Sequence, residues 1–94
     1  MLIVSGWIKV APGTRDGYLK TCVEVVEKAR AFPGCVDFAV SADLLDPDRV
    51  NVYEQWQSEV DLDAFRGSGP DDDQTDMITS AEVARHHISS TGPA

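Results

Sequence analysis

Two adjacent histidines near the end of the chain are the first candidates for chemistry. His86 and His87 are the only histidines present, and imidazole, with a pKa of about 6.5, is the side chain that suits a base at neutral pH. Neighbouring residues of a strand point to opposite faces of a sheet, so at most one of them can line a given pocket. His86 shares its parity with Ala84 and Ile88, and we expect it on the inner face. Alternatively, both histidines are partly solvated near the end of an edge strand.

Trp56 and Glu54 form a second candidate pair. They share parity with Val50 and Val52, which predicts that all four side chains point to one face of a strand. An indole at that position could stack on a flat substrate and donate its N–H, with plain core packing as the alternative. A buried carboxylate needs a partner, so Glu54 is either a functional acid or a group that is salt-bridged at the edge of the sheet.

Other chemical motifs are weak. Zinc needs three or four ligands, and the two histidines have no third His and no suitably spaced Cys, so we expect no metal site. Cys22 and Cys35 lack the CxxC spacing and are interpreted as buried thiols in a reducing cytoplasm. The Gly67–Pro70 segment does not follow a strand, and the aspartates at 71–73 would repel a phosphate.

The composition is typical of one globular domain over residues 1–94. The chain is 43% hydrophobic and 26% charged, which excludes a disordered or membrane-spanning protein. Its 16 acidic and 8 basic side chains give a net charge of −8, and that charge repels nucleic acid and anionic lipid. The first ten residues have neither the basic region of a signal peptide nor an apolar run long enough for a membrane span, so we expect a cytoplasmic protein.

The residue pattern predicts the order strand, helix, strand, strand, helix, strand. Period-two alternation predicts strands over residues 2–10, 35–44 and 50–56, and the Asp46–Asp48 turn joins the last two as a hairpin. Apolar residues at three- and four-residue steps predict a helix that Thr14 caps and that Phe32-Pro33-Gly34 ends. A capping box from Ser58 to Asp61 predicts a short helix through Phe65.

The last part of the chain is predicted to hold one more helical turn and one more strand. Thr75 would cap the turn, which carries Met77 and Ile78. The strand is expected over residues 83–90. This order matches the α+β, ferredoxin-like split βαβ unit, with helices on one face of an antiparallel sheet. The other face carries four apolar residues and is predicted to pack against a second copy: Ile3, Trp7, Ala39 and Tyr53.

Four segments in this order resemble the antibiotic biosynthesis monooxygenase (ABM) domain, a branch of the dimeric α/β barrel superfamily. They are Pro33-Gly34-Cys35-Val36-Asp37-Phe38, Asp46-Pro47-Asp48-Arg49, Val52-Tyr53-Glu54-Gln55-Trp56-Gln57-Ser58 and Leu62-Asp63-Ala64-Phe65-Arg66. The resemblance covers nearly the whole chain. It implies a homodimer whose two sheets form a barrel, with a pocket in each subunit between sheet and helices.

The resemblance also implies an activity, namely oxidation of a small aromatic, quinol or polyketide-like substrate by molecular oxygen without a cofactor. The substrate then supplies the electrons, so the protein must bind a flat ring, take a proton and exclude water. His86 and Trp56 are the expected catalytic residues. The expected pocket residues are Val52, Glu54, Phe65 and Met77.

Two departures from the family leave other functions open. The inward positions that carry an asparagine in some oxygenases of this superfamily hold Gly6 and Val52 here. The segment that supplies an axial histidine in haem-degrading relatives holds acids, Gln74 and Met77, which disfavours haem degradation. The alternatives are a non-catalytic module for ligand binding or dimerisation, and an isomerase on the same fold.

Overall fold

In the part of the chain that the structure describes, four strands form one antiparallel sheet in the order β2-β3-β1-β4. The computed structural model describes residues 1–67 and 77–94. Its elements are β1 (Leu2–Val10), α1 (Arg15–Ala31), β2 (Cys35–Ala42), β3 (Arg49–Trp56), α2 (Glu59–Gly67) and β4 (Ile78–His87). The fold is α+β and ferredoxin-like, which confirms the predicted class.

Period-two alternation along the central strand β1 separates the two faces of the sheet. Leu2, Val4 and Val10 are each 1% exposed, and the first two share a core cluster with Ala29 of α1 and Leu62 of α2. We call this side the helix-covered face. The opposite side, which carries Ile3, Ser5, Trp7 and Lys9 of β1 and the residues paired with them, is the open face.

Gly6 allows β4 to approach β1 closely. Its φ is 153°, a value that L residues rarely adopt, and a Cβ at this position would overlap the carbonyl oxygen of Glu82 and the Cα of Val83. A side chain at position 6 would therefore push β4 away from the centre of the sheet.

The structure confirms the first two predicted helices as α1 and α2, but one cap works differently. Thr14 is the N-cap of α1, yet its hydroxyl makes no bond to the helix and donates instead to the carbonyl of Ala11, at 2.6 Å. At α2, Ser58 Oγ accepts the N–H of Asp61 at 3.2 Å, as a capping box requires. The Asp61 carboxylate returns to the Ser58 hydroxyl, at 2.9 Å.

The predicted alternation of the second strand is wrong at both ends. The register shifts between Cys35 and Asp37, so Cys35 lies opposite Trp56. Val36 is the extra residue of this bulge, and it is 48% exposed rather than inward. At the other end β2 stops at Ala42, and Leu44, which was expected on the inner side, is 99% exposed in the connecting turn.

The last strand begins earlier than predicted. β4 spans Ile78–His87 instead of residues 83–90, and Ile78 pairs with Val10 of β1 instead of joining a helical turn. Met77 is part of a turn. Thr75, the predicted cap, lies outside the described residues. No helix in the described part of the chain is both long and apolar enough to cross a membrane.

Candidate functional site

Trp56 lies at the centre of an aromatic cluster on the helix-covered face. Its ring centroid is 5.3 Å from that of Phe65 on α2 and 6.3 Å from that of Phe32, which follows α1. Phe65 also meets Phe38 edge-on at 6.1 Å. Trp56 is 0% exposed, so this part of the predicted pocket is filled by aromatic side chains, and Phe65 packs against Trp56.

Glu54 is the hydrogen-bond partner of the Trp56 indole. Trp56 Nε1–H donates to Glu54 Oε1 at 3.0 Å, and Arg66 Nη2 lies 3.5 Å from Glu54 Oε2. Glu54 is 5% exposed. It is thus salt-bridged, one of the two sequence interpretations, but not at the sheet edge, because β3 lies between β2 and β1.

Sequence reasoning missed the role of Arg66. A signal was present, because a buried carboxylate requires a partner and Arg66 is the basic residue of the Glu59–Gly67 helix. It lies in the last turn of α2, where a cation also interacts favourably with the helix dipole.

A row of small and aliphatic residues crosses the centre of the helix-covered face. Val52 and Val83 lie on either side of Gly6, and Val40 lies opposite Val52. Val83 is 38% exposed. We call Val40, Val52, Gly6 and Val83 the glycine row. Its side chains are apolar, and it has no side chain at Gly6. Val52 is the predicted pocket residue that belongs to it.

The expected face of the histidines is wrong. His86 pairs with Ile3 and therefore lies on the open face, whereas His87 pairs with Leu2 on the helix-covered face. The early start of β4 does not change this parity. The error comes from Ala84 and Ile88, which suggested an inner face although Ala84 pairs with Ser5 and Ile88 lies beyond the strand.

Neither histidine is buried beside Trp56. Both are exposed, and His87 Nε2 lies 3.8 Å from Glu59 Oε2 at the start of α2. Leu2 separates His87 from Trp56 across the sheet. The structure therefore does not bring the two expected catalytic residues, His86 and Trp56, to one face.

Met77 also lies away from Trp56. It packs against a second buried cluster at the opposite end of the helix-covered face, formed by Val10, Tyr18, Cys22 and Val50. In that cluster, burial and the neighbouring Cys22 thiol raise the pKa of Tyr18 to about 12, so the phenol is neutral at physiological pH. Met77 and Phe65 thus belong to different clusters.

A groove of about 460 Å³ runs between α1 and the edge strand β2. Its walls include Leu19, Cys22, Val26, Val40 and Ala42, with Glu27 and Arg30 among the polar lining residues. Arg30 Nε donates to the carbonyl of Phe38 at 2.9 Å, which ties α1 to β2. The groove shares Val40 with the glycine row, but its lining includes none of the predicted catalytic or pocket residues.

The open face carries the four residues that were expected to meet a second copy. Ile3, Trp7, Ala39 and Tyr53 are half-buried, and the register places them all on this side. Two cations lie near the Trp7 ring, since Lys9 Nζ is 5.9 Å and Arg49 Cζ 5.6 Å from its centroid.

The remaining reactive groups form no further centre in residues 1–67 and 77–94. Cys22, which is buried, and Cys35, which is half-buried, are not joined in a disulfide. Burial, followed by the charges of Asp37 and Glu54, raises the pKa of Cys35. Within those ranges, no group of three or more His, Cys, Asp or Glu side chains is placed to hold a metal ion.

The sheet order, with α1 and α2 on one face, defines a ferredoxin-like α+β protein with a Trp–Glu pair under α2. The family model described as antibiotic biosynthesis monooxygenase matches residues 1–75. Because that match covers most of the 94 residues, the chain belongs to the antibiotic biosynthesis monooxygenase family.

Solved structures agree with this assignment. A protein from Deinococcus radiodurans, named for the same family, is 17% identical with a TM-score of 0.87, covering 100% of this chain and 98% of that one. A protein from Nitrosomonas europaea, also named for this family, is 16% identical with a TM-score of 0.85, and the match covers 96% of this chain and 100% of that one. A third protein, from Chloroflexus aurantiacus, is 26% identical with a TM-score of 0.75, and the match covers 97% of this chain and 96% of that one. The first two show the fold alone.

A sequence relative comes from Synechocystis and is the uncharacterized protein sll1783. It is 26% identical over 62 residues, which are 66% of this chain and 42% of that protein. This chain therefore matches less than half of the length of that relative.

Proposed function

We propose that this protein is a monooxygenase that acts on a small aromatic, quinol or polyketide-like molecule with molecular oxygen and without a cofactor. The observation that carries the proposal is the position of Glu54 beside the glycine row. Glu54 and Val52 are two residues apart on one face of β3, a spacing of about 7 Å. A flat ring on the row would thus lie next to a nearly buried carboxylate.

The proposed chemistry starts with proton removal from the substrate. For an anthrone, Glu54 takes a proton from the ring CH₂, and the carbanion transfers one electron to O₂. The carbon radical and superoxide then combine to form a C–O bond, and the peroxide takes the proton back from Glu54. Breaking the O–O bond and the second C–H bond releases water and leaves a carbonyl, so one O₂ converts CH₂ into C=O and H₂O.

Geometry favours Glu54 over either histidine as this base. His87 pairs with Leu2, and Leu2 is four residues from Gly6 along β1. His87 therefore lies about 13 Å from the centre of the glycine row. His86 lies on the open face. Trp56, whose N–H is already donated to Glu54, would position the carboxylate rather than bind the substrate through that N–H.

Oxygen uptake with an anthrone or a hydroquinone tests the proposal. We expect Glu54→Gln, which keeps an oxygen acceptor for the indole, to lower the rate about 100-fold or more. His86→Ala and His87→Ala are the matched controls and should leave the rate unchanged. A rate that falls with His86→Ala and not with Glu54→Gln would contradict the assignment of the base, and circular dichroism checks that each variant is folded.

A second candidate function is a non-catalytic module that binds a small ligand. It is favoured by the complete burial of Trp56 and by the hydrogen bond that occupies its indole N–H. Such a module would bind the anthrone without oxygen uptake in any variant. An isomerase on the same fold would instead show turnover without oxygen consumption.

We also propose that the protein is a cytoplasmic homodimer. The half-buried apolar residues of the open face support the dimer, because a second copy could cover them. Cys22 and Cys35 are not joined in a disulfide, which fits a reducing compartment. The proposed partners are a small aromatic molecule and oxygen, and the net charge of −8 disfavours nucleic acid and anionic membranes.

A further inference from the structure

Arg66 is the one residue of α2 that reaches the buried Trp–Glu pair with a charge. Its guanidinium lies 3.5 Å from Glu54 Oε2, while its side chain stays 48% exposed. The Glu54 side chain is only 7% exposed. A carboxylate removed from water to this extent is destabilised unless a cation and hydrogen-bond donors compensate for the lost hydration.

The other oxygen of the same carboxylate holds the indole. Trp56 has one polar atom, the Nε1 donor, and a buried indole normally requires an acceptor. Glu54 Oε1 provides it at 3.0 Å. An ionised acceptor gives a shorter and stronger hydrogen bond than a neutral one, so the charge of Glu54 decides how firmly the indole is oriented.

Phe65 provides a second contact between α2 and the Trp–Glu pair. It precedes Arg66 on α2, and its ring lies against Trp56 with an interplanar angle of 36°. Two neighbouring residues of α2 therefore contact the two members of the pair, one through a charge and one through a ring.

We propose that Arg66 is a positioning residue that holds the Glu54 carboxylate in place through their ion pair and thereby fixes the orientation of the Trp56 indole. This inference rests on the proposed function for its significance, since Glu54 is the base proposed there. It makes its own claim, however, because the indole of the free protein should respond to Arg66 whether or not the protein is an enzyme.

The test follows the indole N–H resonances of the ligand-free protein by NMR. The chain has two tryptophans, and a Trp7→Phe variant assigns the Trp56 signal. We expect Arg66→Gln to shift that signal upfield and to speed its exchange with solvent several-fold. Arg66→Lys should restore most of the wild-type shift, whereas Arg66→Met, which keeps the apolar stem without the charge, should not.

Two controls separate this role from general support of α2. Arg85→Gln removes another guanidinium that contacts α2, at Glu59 (3.0 Å) and Asp63 (2.8 Å), but not Glu54; it should leave the Trp56 signal in place. In a Glu54→Gln background, Arg66→Gln should cause no further shift. If Arg66→Gln does not fold, Glu54→Gln with Arg66 intact still tests whether the charge of Glu54 orients the Trp56 indole. An unchanged Trp56 signal in that variant overturns the proposal.

An equal response to Arg66→Gln and Arg85→Gln would also overturn the proposal, because it would mean that the indole reports only the docking of α2. The oxygen-uptake result does not enter this test. A protein without turnover can therefore still confirm the role of Arg66, and an active enzyme can still refute it.

Discussion

Gly34 lies directly against the carboxylate of Asp61, and the contact leaves no room for a side chain at position 34. A Cβ built on Gly34 would overlap Asp61 Cγ and Oδ2. The φ of Gly34 is 91°, and its carbonyl accepts the N–H of Gln57 at 2.8 Å. The turn between α1 and β2 is thus fitted to the start of α2, where Asp61 also bonds to Ser58.

This contact predicts that Gly34→Ala destabilises the protein more than backbone strain alone would. Gly13→Ala is the matched control, because Gly13 also has a positive φ, 78°, but nothing lies within 4 Å of its Cβ position. We expect a loss of about 1 to 2 kcal/mol for Gly13→Ala, the cost of the left-handed conformation, and a larger loss for Gly34→Ala. Urea unfolding measures both, and equal losses would contradict the packing role of Gly34.

The fold could be predicted because its signals are local. Alternation in the first strand, the Pro33-Gly34 stop and the Ser58 capping box each lie within a few residues, and the structure confirms each one. The bulge at Val36 and the early start of β4 could not be read in this way. Both features depend on the register between neighbouring strands, and the residues that pair across two strands are distant in sequence.

The candidate site was less predictable for the same reason. The shared face of Glu54 and Trp56 follows from the period of a single strand. The pairing of Glu54 with Arg66 depends on how α2 crosses the sheet, and the face of His86 depends on the register of β4 against β1. A sequence fixes neither of these without knowledge of the tertiary structure.

The hairpin turn before β3 predicts a specific acid sensitivity. Asp43 Oδ1 accepts from Asn51 Nδ2 at 3.0 Å, and its Oδ2 accepts the backbone N–H groups of Asp46 and Leu45 at 2.9 and 3.1 Å. The Asn51 bond first, and then the two backbone bonds, lower the pKa of Asp43 from 3.8 to about 2. Because the folded pKa is lower than the unfolded one, the stabilisation is complete above the unfolded value and disappears as the pH falls through the folded value.

Asp43→Asn should therefore destabilise the protein at neutral pH and matter progressively less between about pH 4 and about pH 2. Asn cannot accept with both side-chain atoms, so the bonds to the turn weaken. Urea unfolding at several pH values measures the difference between variant and wild type, and Asp48→Asn in the same turn is the control. A difference that stays constant down to the lowest pH would show that the charge of Asp43 does not contribute.

The proposed homodimer predicts that one charge on the open face separates the two copies. Ile3 is half-buried there, opposite Gln55 and His86, and Ile3→Glu would place a carboxylate on each side of a two-fold contact. We expect the wild type to sediment at twice the monomer mass and Ile3→Glu to raise the dissociation constant at least about tenfold. Val60→Glu adds the same charge on α2, at a residue that is 77% exposed, and should not dissociate the dimer. A wild type that sediments as a monomer at micromolar concentration would contradict the homodimer. Equal effects of the two substitutions would contradict an interface on the open face.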